Sequence, residues 1–193
     1  MSDMPESDLP ATFTFAEAVT HGLSRRKLQR LQATGEVDRV GRGLYRRTEE
    51  EPVDYDLIEI AAKAHDPTLC LLSALARHEL TDIIPSAHDI AIPRGAWKPV
   101  VSAPVNWHRF DSATFKVGRS YIRLDESYSI GLYDAPRSII DAFRLRRIVG
   151  PDIANEALRR WLRHGGKPAD LMRLTKIFPR SQPALLHSLQ VLL

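Results

Sequence analysis

Residues 23–47, LSRRKLQRLQATGEVDRVGRGLYRR, constrain this chain more than any other stretch, because a helix, a stop and a basic hairpin follow one another without a spare residue. Ser24 has the side chain of an N-cap, an oxygen able to accept from the N–H groups that a helix start leaves open. In the helix after it, Leu28 and Leu31 fall on one side, Arg25, Arg26, Gln29 and Arg30 on the other, and Lys27 points to the flank. One side packs, and the other is left for a polyanion. Gly35 supplies the stop, Val37 and Val40 begin an extended segment, Gly41-Arg42-Gly43 turns it, and Leu44-Tyr45 return.

The residues before this run give it a partner. Thr14 with Glu17 three positions on forms a capping box, and Phe15, Ala16, Ala18 and Val19 make a short apolar helix ending at His21-Gly22. Helix, glycine turn, basic helix and hairpin in that order predict a winged helix-turn-helix domain over 14–50. Residues 1–13 open with the acidic, polar MSDMPESDLP and are expected to be a disordered leader. They are expected to be too few for both a leader and a three-turn helix. A later segment is therefore expected to complete the small core, and the nominee is Asp54 to His65, with its stripe of Leu57, Ile58, Ala61 and Ala64.

Charge separates this region from the rest. The net charge is only +3, yet residues 21–47 hold eight Lys/Arg against Glu36 and Asp38, while the remainder is nearly balanced. Concentrated positive charge on a helix and hairpin points to double-stranded DNA. Arg25, Arg26, Gln29 and Arg30 are expected in a groove, where arginine can bond guanine edges through two nitrogens. Ser24 and Lys27 lie at the helix start, where open N–H groups favour phosphate. Arg39, Arg42, Arg46 and Arg47 are the hairpin's expected contacts to phosphate or the minor groove.

After the acidic break TEEEPVD (48–54), residues 51–193 read as a larger mixed domain, so the fold class is α+β. Helices are expected over Asp54–His65 and Leu69–Leu80, then strands over His88–Ile92, Val105–Phe110, Ser120–Leu124 and Tyr128–Gly131. Four helices follow, each with proline near its start: Pro136–Ile148, Pro151–His164, Pro168–Phe178 and Pro183–Leu193. Trp97 and Trp107 are expected in core or interface positions. Arg137 and Asp141, one turn apart, form an expected structural pair. Arg144, Arg146, Arg147, Arg159, Arg160 and Arg163 form a second basic group whose default meaning is a solvated helix surface.

No enzyme signature survives a check of spacing, and no catalytic residue, metal or cofactor is expected. His78-Glu79 opens like a zinc-protease motif, but Asp82 occupies the second histidine's place. Asp54-Tyr55-Asp56 has the acidic spacing of a nucleotidyltransferase site without the preceding Gly-Ser. Phosphate-binding loops, nucleophile elbows and dinucleotide fingerprints are all missing. The single Cys70 rules out an internal disulfide and a cysteine zinc site. The N-terminus has no basic start or apolar stretch, and no window reaches about 18 unbroken apolar residues, so a cytoplasmic protein is expected, with no membrane contact.

GLSRRKLQRLQATGEVDRVGRGLYRR resembles the N-terminal domain of the AbiEi family of antitoxins, with its Gly-Leu-Ser turn, helix and basic Gly-x-Tyr hairpin. Ser73-Ala74-Leu75 with His78 and Leu80, the strand HDIAIPRG, and GLYDAPRSIIDAFRLRRIVG with Pro136, Arg137 and Asp141 continue the resemblance. It implies a transcriptional autorepressor that binds repeated sites in its own promoter, self-associating there, and an antitoxin paired with a nucleotidyltransferase toxin that it need not bind stably. The alternatives are a winged-helix regulator without a toxin partner and, further off, an enzyme with a site on the sheet between Ile83 and Tyr133.

Overall fold

A computed structural model describes residues 9–48 and 53–192. The first eight residues of the expected leader, and residues 49–52 of the expected linker, lie outside the described residues. The chain divides into two compact units: one runs to Ala64 and takes in Pro99–Pro104 and Ile122–Ile130, and the other holds the rest. The boundary expected at residue 50 therefore falls later, and two further segments join the N-terminal unit.

In the first unit, strand β1 (Thr12–Thr14) leads into helix α1 (Phe15–Thr20), then α2 (Arg25–Ala33), β2 (Val37–Gly41) and β3 (Leu44–Arg47). The strands form an antiparallel sheet in the order β1-β3-β2, with Phe13 opposite Tyr45 and Val37 opposite Arg47. Thr14 and Glu17 form the capping box at α1. Leu9, Phe13, Ala18, Leu23, Leu28, Leu31 and Val37 make the core, and each fully buried leucine contributes about 1.5–3 kcal/mol. Residues 9–13 correct the expected leader: Leu9, Ala11 and Phe13 are buried, and the three-residue strand pairs with β3.

Helix α3 (Tyr55–Lys63), the segment nominated to complete the small domain, groups with this unit. It starts at the N-cap Asp54, whose carboxylate accepts from the Leu57 N–H at 3.1 Å. Its Tyr55 hydroxyl donates to Asp38 on β2 at 3.1 Å. The two elements approach so closely that a Cβ on Gly41 would lie 2.5 Å from Glu59 Oε1. Glu59 itself is buried, and accepts from Lys63 Nζ at 2.5 Å and from the backbone N–H groups of Ser102 and Ala103 at 2.7 and 3.1 Å.

The second sheet has the order β6-β5-β4-β8-β7. Its strands are β4 (Thr68–Leu69), β5 (His88–Pro93), β6 (Val105–Phe110), β7 (Arg119–Arg123) and β8 (Ser129–Tyr133). β4 runs antiparallel to β5 and parallel to β8, and β5 runs parallel to β6. The helices are α4 (Leu71–Arg77), α5 (Ala135–Arg144), α6 (Arg146–Val149), α7 (Pro151–Arg163), α8 (Pro168–Thr175) and α9 (Gln182–Leu192), with a 3-10 turn at Pro179–Ser181. Ile139, Ile140, Leu158, Trp161, Leu171 and Leu185 anchor the core they share.

Three expectations here are corrected. The helix expected over Leu69–Leu80 is shorter, because Leu69 is taken into β4, Cys70 is extended, and Glu79 adopts φ +58° beyond the helix end. The helix expected over Pro136–Ile148 breaks at Leu145. Trp97 is 81% exposed, so it is no core residue.

Candidate nucleic-acid interface

Ser24 begins α2 from an extended conformation, and its hydroxyl accepts from the Lys27 N–H at 3.2 Å. Leu28 and Leu31 point into the core, while Arg25, Arg26, Gln29 and Arg30 are exposed. Lys27 is half-buried at the flank. Between the helices, Gly22 takes φ +79°, a left-handed conformation that any side chain would strain. Leu23 follows it into the core, fixing the angle at which α2 leaves α1.

No acidic residue occupies the first turn of α2, yet Arg25 and Arg26 stand there. A helix N-terminus carries a partial positive charge, so cations at this end lower helix stability by about 0.3–1 kcal/mol. A phosphate bound at the same place reverses the sign. Among the described residues, no ion pair neutralises Arg25, Arg26, Arg30 or Arg42.

The hairpin divides its four arginines. Arg42 is exposed at the turn and Arg39 is exposed on β2, its Nε donating to the Gly41 carbonyl at 3.2 Å. Arg47 is half-buried. Arg46 is a correction: it is 2% exposed, donates to Thr12 Oγ1 at 2.8 Å and pairs with Asp125 at 2.9 Å. Its position two residues from Leu44 puts both on the inner face of β3, so it cannot reach a phosphate.

Asp125 was not foreseen as part of this unit. One of its oxygens accepts from the Ser127 and Tyr128 N–H groups at 2.8 and 2.7 Å, closing its own turn. The other accepts from Thr12 Oγ1 at 2.6 Å and from Arg46. A single buried carboxylate thus ties β1 and β3 to a turn 79 residues further along the chain. Nothing local in the sequence marks that pairing.

His78, Asp54 and Cys70 each have a hydrogen-bond partner. His78 follows the end of α4 and its Nε2 lies 2.7 Å from the Tyr133 carbonyl. Asp54 is the helix cap described above. Cys70 is wholly buried and its thiol donates to the Asp89 carbonyl at 3.4 Å; burial pushes its pKa well up, leaving it in the unreactive thiol form.

Helix, glycine turn, second helix and an exposed cationic face have the arrangement of a helix-turn-helix. Residues 7–48 match the family model described as transcriptional regulator, AbiEi antitoxin. No curated protein matches the chain. Among the described residues, no helix is long and apolar enough to cross a membrane.

Proposed function

We propose that the chain is a cytoplasmic, sequence-specific DNA-binding autorepressor and antitoxin, with α1, α2 and the β2–β3 hairpin acting as a winged helix-turn-helix. The reading is carried by one observation: the capped helix α2 bears exposed, unneutralised Arg25, Arg26 and Arg30 around Gln29. In this reading α2 enters the major groove, and Arg26, Gln29 and Arg30 contact base edges. Arg25, Ser24 and Lys27 at the helix start hold phosphate, and Arg39 and Arg42 follow the backbone beside the groove, with Arg47 at the hairpin's base. Arg46 is left out of the contact set. So small a module reaches useful specificity by binding repeated sites, each copy aided by its neighbour.

Repression then follows from occlusion of the promoter. The toxin partner of the proposal is a nucleotidyltransferase whose activity the chain counters without a stable complex, as the resemblance implies. A reporter driven by the DNA upstream of the gene tests the first half. The intact chain should silence it, and Arg26→Ala with Arg30→Ala should restore expression at unchanged protein level. Co-expression with an adjacent nucleotidyltransferase gene tests the second half. Rescue of growth is expected, and continued toxicity at full antitoxin expression would remove the antitoxin reading.

A further inference from the structure

In the second unit, an open groove of about 500 Å³ lies where α5 gives way to α6 and α9 begins. Arg144, Arg146, Arg147 and Arg180 line it, and no acidic residue does. Elsewhere in this unit several basic helix residues have acidic partners: Arg159 and Arg160 pair with Glu156, Arg160 also with Asp82, and Arg173 with Asp170. Arg146, Arg147 and Arg180 are exposed and have none among the described residues. Their charge is left standing.

Arg144 is held differently. Its guanidinium donates to Asp141 through Nε at 3.1 Å and Nη2 at 2.8 Å, and lies 4.9 Å from the Phe110 ring centroid. Asp141 is fully buried and is shared with Arg137, 2.9 Å away, so two guanidiniums meet one carboxylate and the cluster behind the groove stays positive. The groove therefore combines one fixed arginine with three free ones. Apolar surface at Ile148 and Pro183 adjoins them.

We infer that this groove binds a small phosphorylated ligand of nucleotide size. Arginine's planar fork suits the paired oxygens of a phosphate, and several arginines lining one groove without an acid suit more than one phosphate group. The groove's volume lies within the range of about 300–1,000 Å³ usual for small-molecule sites. Its concavity favours a compact polyanion over a duplex, whose stiff backbone follows a cationic surface from outside. The apolar wall gives a base or similar ring somewhere to rest. This inference stands independently of the DNA reading of the first unit.

Calorimetric titration of the full-length chain with ATP, inorganic pyrophosphate and adenosine tests it. ATP should bind at one saturable site, pyrophosphate should compete, and adenosine should bind far more weakly. Arg147→Ala with Arg180→Ala removes two exposed side chains without an ionic partner, so the fold should survive, and ATP affinity should fall about tenfold or more. Arg26→Ala with Arg30→Ala should leave ATP binding unchanged. No saturable binding of either phosphate probe, or undiminished ATP affinity in the Arg147/Arg180 variant, overturns the inference. So does binding of duplex DNA alone that the same variant abolishes, which would assign the groove to a nucleic-acid backbone.

Discussion

Arg46 and Arg42 sit four residues apart in the same basic hairpin, and their fates differ because of which way β3 turns them. Arg42 lies at the exposed turn, while Arg46 shares the inner face with Leu44 and is closed over by Thr12 and Asp125. The alternation of Leu44 and Arg46 was present in the sequence and signals burial. Counting charges alone conceals it. Asp125 could not be read in this way, since its partners are brought to it only by the folded chain. Removing it takes a buried counter-charge away from a buried guanidinium, a loss that typically costs about 3–5 kcal/mol. Asp125→Ala should accordingly lower unfolding stability by about 3 kcal/mol, measured by urea denaturation. A change within 0.5 kcal/mol of zero, about the scatter for surface substitutions, would show the carboxylate to be dispensable.

At the scale of elements, α2 and its cap were legible because every interaction that defines them lies within one helical turn: Ser24 to Lys27, and Leu28 to Leu31. The capping box of α1 is equally local. β1 was not legible, since its three residues follow an acidic, polar opening and are ordered only by pairing with β3. The short α4 was overextended for a related reason: Leu69 and Cys70 read as helix by composition, and the sheet captures them. The β2–α3 contact depends on a missing side chain, because any Cβ at Gly41 would press into the buried Glu59 carboxylate. Gly41→Ala should therefore destabilise the first unit by about 1–3 kcal/mol, the usual cost of overpacking, seen as a lower thermal midpoint. An unchanged midpoint would mean that Glu59 moves aside freely.

At the scale of the whole molecule, pH acts through the same Glu59. Burial pushes its pKa up, but Lys63 and the backbone N–H groups of Ser102 and Ala103 outweigh this and hold it below the ordinary value of 4.5. A carboxyl with a lowered folded pKa contributes stability that is present above 4.5 and lost as pH falls below it. Denaturation midpoints should decline on acidification through that range, and Glu59→Gln should flatten the decline; equal slopes in the two proteins would remove Glu59 as its source. The change of texture after residue 50 does not give the limits of the two units, because 99–104 and 122–130 return to the first unit from within the second.

The proposed function requires the exposed arginines of α2 and the hairpin to meet the DNA backbone and bases. Affinity for the DNA upstream of the gene, measured against salt concentration, tests it most directly. If Arg25, Arg26, Arg30, Arg39 and Arg42 together neutralise about five phosphates, the logarithmic slope should be near −4.5, and fourfold more salt should weaken binding by about 10²–10³. Arg26→Ala with Arg30→Ala should abolish the specific complex while circular dichroism stays unchanged. A flat salt response, or a double variant that binds the upstream DNA as tightly as the intact chain, contradicts the account.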